Sequence, residues 1–215
     1  KWRLMSLASY LSPRLKEEIS QWCGNGTYAR FFDNDSDTFN LGSKVCIEMG
    51  GLLKEPVVAA LFIEYAFYSI QIRLDGKPTV IYIEEAWFML AYERFAAGID
   101  NWLRTLAKKN AFLIMATQSL SEVANSKIFA SIIDNIPNRI FLPNPNALTH
   151  AEMYRNMFSL NDEQINRIRN GIPKRNYYIV TPMLSRMVDV SFSREILAVV
   201  RSDQRAQNVF NKHYQ

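Results

Sequence analysis

Two short polar clusters interrupt apolar runs in this chain, and both sit where a strand should end. The first is Ile81-Tyr82-Ile83-Glu84-Glu85-Ala86-Trp87, an apolar run that stops in two adjacent carboxylates. The second is Ala111-Phe112-Leu113-Ile114-Met115-Ala116, which stops in Thr117-Gln118-Ser119. In an open parallel α/β sheet, ligands bind at the carboxyl ends of the strands, so acids placed there lie in the crevice. Paired acids suit phosphoryl transfer from a nucleoside triphosphate. The first, Glu84, would hold the shell of a magnesium ion, and the second, Glu85, would orient and polarise the attacking water. An amide at Gln118 carries both donor and acceptor, so it can bond a terminal phosphate or the water and pass on a change in that bond.

Simpler readings exist for each cluster. Glu84 and Glu85 could decorate a helix N-terminus, where the dipole favours negative charge by about 0.3–1 kcal/mol. Gln118 could belong to a capping turn. The spacing argues for the two together: one helix and one return strand separate them, and right-handed crossover would place Gln118 beside Glu85 on one sheet edge.

The elements that must position these residues are legible as strand and helix text. Pro56 opens a long apolar helix to about Ile72, and Asp75-Gly76-Lys77-Pro78 turns into the strand Thr79–Ile83. A second long helix is expected from Trp87 to about Lys109, with an apolar face through Phe88, Leu90, Phe95, Ile99 and Trp102. Trp87 and Phe88 therefore read as core packing. The run Ala111–Ala116 is a strand of the type buried on both faces.

Upstream, Leu4, Leu7, Ala8 and Leu11 keep helical spacing, and Ser12-Pro13 restarts a helix that Gly24 can end. Residues 28–43 turn polar, and Val45–Met49 is expected as a short strand. Downstream, Arg139–Leu142 reads as a strand closed by Pro143-Asn144-Pro145. Asn161 can cap a helix to Arg169, and Gly171-Ile172-Pro173 separates it from the strand Tyr177–Val180. Strand, helix, strand in alternation predicts an α/β fold with a parallel sheet, and the 215 residues suit one domain, 1–215.

Composition narrows the class. With 48% apolar and 21% charged residues the chain is ordinary for a globular protein, so disorder is excluded. The net charge of +4 comes from interspersed residues, so nucleic acid is permitted as a partner and not indicated. Cys23 and Cys46 have neither metal nor redox spacing, which favours a reducing compartment, the cytoplasm. The longest apolar stretch, Val57 to Ile72, contains Glu64 and falls short of the ~20 residues of a membrane span. His150 and His213 are isolated and build no metal site.

Taken in order, Val80–Trp87, then Leu103–Asn110, then Met115-Ala116-Thr117-Gln118-Ser119 resemble the motor domain of the large type IV secretion and conjugation ATPases, a VirB-type, RecA-like P-loop family. Ile140–Pro145 and Ile196–Ser202 are similar to what that family carries toward its C-terminus. Glu84 stands where the family commonly has aspartate, one methylene shorter.

The resemblance implies a RecA-like, mostly parallel sheet flanked by helices, with C-terminal strands and helices, binding ATP and Mg2+. It implies nucleotide contacts from Glu84 and Thr117, with Glu84 reaching the metal through water, and catalysis by Glu85 and Gln118. It points to Arg104 as an arginine that completes a neighbouring subunit's site, with Arg139 and Arg175 as weaker candidates. Lys108, four residues on, would share the face of Arg104. The implied partners are further copies of the ATPase, in a hexameric ring, and other secretion components at the inner membrane.

The phosphate-cradling pattern G-x-x-x-x-G-K-[ST] does not occur; Gly24-Asn25-Gly26 and Gly50-Gly51 lack the following Lys-[Ser/Thr]. The chain is therefore expected to start inside the motor domain, downstream of that loop, and by itself to hydrolyse ATP slowly. Two rival functions fit the same text: a DNA-pumping ring ATPase, for which the only basic loop is Ile172–Asn176, and a docking scaffold that kept the fold.

Overall fold

The structure, a computed structural model, describes residues 3–37, 39, 42–200 and 203–214. It opens with three short helices, α1 (Leu4–Ala8), α2 (Pro13–Ile19) and α3 (Ala29–Phe32), followed by α4 (Pro56–Arg73) and β1 (Thr79–Ile83). Next come α5 (Ala86–Ala91), α6 (Glu93–Thr105), a 3-10 turn over Leu106–Lys109 and β2 (Ala111–Met115). The remainder runs α7 (Leu120–Ala124), α8 (Phe129–Asn135), β3 (Arg139–Phe141), α9 (Ala151–Phe158), α10 (Asp162–Asn170), β4 (Asn176–Val180), β5 (Ser185–Asp189), α11 (Arg194–Val200) and α12 (Gln204–Tyr214). These elements fall into two compact units, one of residues 1–84 and 92–116, the other of residues 85–91 and 117–215.

In the first unit β1 and β2 pair in parallel, with Thr79 opposite Ala111 and Ile83 opposite Met115. This is the parallel sheet that the alternation of strand and helix required. The side chains that alternate inward, Ile81, Ile83 and Ala111, are buried. The same unit buries Val58, Ala59, Ile63 and Ala66 of α4 and Phe95, Ala96, Ile99 and Trp102 of α6. Phe67 of α4 stacks on Trp102 with ring centroids 4.2 Å apart. Gly98 lets the helices approach there, since a Cβ at that position would lie 3.2 Å from the Phe67 ring. Pro56 occupies the first turn of α4, where its missing N–H costs nothing.

In the second unit β3, β4 and β5 form an antiparallel sheet, with Phe141 opposite Tyr178 and Tyr178 opposite Met187. Phe141 and Tyr178 join Ala151, Tyr154, Phe158, Ile165 and Ile168 in one buried cluster. Asn161 begins α10 with a complete capping box: its side chain accepts from the Gln164 N–H, and the Gln164 side chain accepts from the Asn161 N–H.

The α/β class holds, with its parallel part in β1–β2 and the C-terminal strands in a sheet of their own. Three expectations about elements need correcting. Val45–Met49 forms no strand: Val45 is exposed and the segment has no ladder partner among the described residues. The helix expected from Trp87 to Lys109 is broken at Tyr92, which is extended (φ −99°, ψ 119°) and whose carbonyl starts α6 by accepting from Phe95 and Ala96. Because the last turn tightens to 3-10 over Leu106–Lys109, Lys108 does not continue the α-helical register of Arg104. Strand β5 went unread, since Ser-Arg-Met-Val-Asp carries little apolar alternation. Arg201 and Ser202 lie outside the described residues, as do the side chains of Trp87 and His213. Among the described residues no helix is long and apolar enough to cross a membrane.

Candidate functional site

β1 and β2 end level with each other. Beyond the last paired residues, the Ala116 N–H donates to the Ile83 carbonyl at 2.9 Å, so the polar residues that follow start from a common edge. Glu84 is the first residue past β1 and is exposed. Glu85 follows with φ 55°, a left-handed conformation uncommon for a residue with a Cβ. That backbone turn changes the chain's direction, and the Glu85 carbonyl accepts from the Phe88 N–H at 3.0 Å as α5 begins. Ala86, the first residue of α5, has no exposed surface.

At the other strand end, Thr117-Gln118-Ser119 forms a closed turn. The Thr117 hydroxyl accepts from the Ser119 N–H at 3.2 Å. Ser119 caps α7, its Oγ accepting from the Glu122 N–H at 3.3 Å. From this turn Gln118 Nε2 donates to Glu85 Oε1 at 2.9 Å. The two residues that spacing had placed on one edge are thus in direct hydrogen-bond contact. The role of Ser119 as a cap was missed, although Ser-x-x-Glu over Ser119–Glu122 is the signature of a helix start.

The other candidates are placed as follows. Arg104, in the last turn of α6, makes a two-pronged contact to Asp100, with Nε and Nη2 each 3.1 Å from a carboxylate oxygen. Arg139 Nη2 donates to the Ile133 carbonyl at 3.1 Å, and Arg175 Nε to Asp189 Oδ2 at 2.7 Å. His150 is exposed at the start of α9. Phe88, Leu90, Phe95, Ile99 and Trp102 are buried, as core packing requires.

Among the described residues no group of three or more His, Cys, Asp or Glu could cage a metal ion. Magnesium in a nucleotide site does not require one, because it keeps several waters and binds one or two carboxylates together with substrate phosphates. An exposed carboxylate at a strand end, Glu84, fits that mode.

This constellation of strand-end acids and a glutamine just past the next strand can be set against known proteins. A model of the TraG P-loop domain matches residues 44–199, most of the chain and all of the site. The chain belongs to the TraG P-loop domain family. A probable conjugal transfer protein TrbE of Sinorhizobium fredii is 34% identical over 191 residues, covering 86% of this chain. Conjugal transfer protein TrbE of Rhizobium radiobacter is 32% identical with the same 86% coverage. Type IV secretion system protein virB4 of Bartonella quintana is 29% identical over 74% of this chain.

The chain spans only 28% and 23% of the lengths of the two TrbE proteins. In three dimensions this TraG P-loop domain is similar to VirB4 of Thermoanaerobacter pseudethanolicus, with a TM-score of 0.65 over 85% of this chain and 50% of that one. At 13% identity the likeness shows a shared fold.

Proposed function

We propose that this domain supplies the water-activating half of an ATP-hydrolysing motor that powers type IV secretion or conjugative transfer. The observation that carries the reading is the hydrogen bond between Gln118 and Glu85 at the ends of two adjacent parallel strands. Membership of a P-loop family, and relatives named for conjugal transfer and type IV secretion, support it.

In this reading Glu85 accepts the proton of the attacking water and holds its oxygen toward the terminal phosphorus. Glu84 would hold magnesium through water, and the Thr117 turn would contact the nucleotide. Magnesium-bound ATP would supply the electrophilic phosphoryl group and neutralise the charge that develops on it. Arg104 serves a neighbouring copy in the ring, giving up Asp100 for the transition-state charge there. A hexameric ring at the cytoplasmic side of the inner membrane, among other secretion components, is the assembly this motor would join.

Replacing Glu85 by Gln in a full-length protein that carries this domain tests the reading. Turnover of ATP should fall by about 10²-fold or more, the scale of a lost general base, while nucleotide binding persists. Turnover equal to that of the unaltered protein would remove Glu85 from the mechanism.

A further inference from the structure

Glu85 is held against its own backbone preference. A left-handed conformation is disfavoured for a residue with a Cβ, and it persists only where the surroundings fix it. Among the contacts at φ 55°, the Glu85 carbonyl takes the Phe88 N–H, and its carboxylate takes the Gln118 amide. Gln118 is fixed in its turn on both sides. Thr117 closes the turn on the Ser119 N–H, and Ser119 anchors that turn to α7 by accepting from the Glu122 N–H. Gln118 is exposed, and its side chain is directed by the turn it stands in and by its bond to Glu85.

We propose that Gln118 is a positioning residue acting through Glu85, its amide setting the direction in which the carboxylate meets the attacking water. The inference rests on the reading of Glu85 as the water-polarising acid. The residue type suits the task. A neutral amide donates to a carboxylate oxygen from a fixed direction without bringing a charge of its own. The amide nitrogen also carries a second N–H, which could meet a phosphate oxygen. A role through Glu85 and a role on the nucleotide therefore have to be told apart by coupling.

A double-mutant cycle in a full-length protein carrying this domain does so. Single-turnover ATP hydrolysis and affinity for a non-hydrolysable ATP analogue are measured for Gln118→Leu, Glu85→Ala and the two combined. Gln118→Leu should slow hydrolysis by about tenfold or more with analogue affinity held within about twofold, the split expected when only the transition state loses a contact. In the Glu85→Ala background the same change should alter the residual rate by less than about twofold. Effects that multiply in the combined variant, or an affinity loss as large as the rate loss, would overturn the proposal and put Gln118 on the nucleotide. A Glu85→Ala protein turning over at the unaltered rate would instead overturn the reading of the acid itself. Gln118→Asn keeps the amide but is one methylene short; it takes the place of the leucine variant in the cycle if that variant melts early.

Discussion

In the antiparallel sheet, Phe141 and Tyr178 turn inward to a cluster in which Ile165 and Ile168 have almost no contact with solvent. In the parallel pair, one face is buried through Ile81, Ile83 and Ala111, while the other carries Val80, Tyr82, Phe112 and Ile114 at 45–57% exposure. The register sets Val80 against Phe112 and Tyr82 against Ile114, so these four make one continuous apolar patch. An antiparallel sheet commonly has one wet face, whereas parallel strands are commonly covered on both. Here the sheet that follows the usual rule supplies packing, and the sheet that departs from it leads into the residues with chemistry. The more fully buried cluster packs on one sheet, and the proposed site follows the strand ends of the other.

Paired substitutions test that division most strongly. Ile168→Ala removes a side chain with no exposed surface from the cluster and should cost about 2–5 kcal/mol in urea unfolding, the range for such core truncations. Phe112→Ser deletes a larger side chain, but one 54% exposed, and should change stability by no more than about 0.5 kcal/mol while improving solubility. A loss at Phe112 approaching that at Ile168 would show the outer face to be packed, and the contrast between the sheets would fail.

A smaller effect sharpens the comparison at the helix ends. In the second unit α10 starts from the Asn161–Gln164 capping box, while in the first unit α4 and α6 start with no side-chain cap. Asn161→Ala should therefore cost about 1 kcal/mol, measured by thermal unfolding, through the orphaned amide of Gln164. No measurable change would mean that the buried face of α10, Ile165 and Ile168, holds the helix by itself.

Much of this architecture could be read in advance because the residues concerned obey local rules. Pro56, the Asp75–Pro78 turn, the apolar runs of β1 and β2 and the Asn161 cap each have one favoured conformation, and each adopts it. The contact at the candidate site was legible for a related reason: Glu85 and Gln118 break apolar runs at a spacing that fits one crossover. What escaped depends on tertiary context. Tyr92 breaks a helix without glycine or proline, and the left-handed turn at Glu85 uses a residue type that does not favour it. Val45–Met49 has strand composition but no pairing partner among the described residues, and strand character is a property of the pair. β5 has the reverse situation: poor composition, and a partner supplied by the Thr181–Leu184 turn, where the Thr181 N–H donates to the Leu184 carbonyl at 2.8 Å.

The weakest expected effect concerns the helices at the start of the first unit, where a carboxylate does the work that apolar packing does in the second. Asp33 ends α3 and accepts from the Gly24 N–H at 2.8 Å and the Met5 N–H at 3.1 Å, tying α1 and the Gly24 turn to α3. The Gly24 amide bond is the main cause of a carboxyl pKa below the ordinary 3.8; the Met5 bond and the charge of Arg3 act the same way, and desolvation opposes them. A pKa lower in the folded state than in the unfolded one means that the folded state prefers the ionised form. The resulting stability is present above the unfolded value and is lost as pH falls through the folded one. A carbon-detected titration should place the Asp33 midpoint below 3.8, and the stability advantage over Asp33→Asn should hold above about pH 5 and vanish under strong acid. An advantage that survived full protonation would mean that shape rather than charge joins these helices.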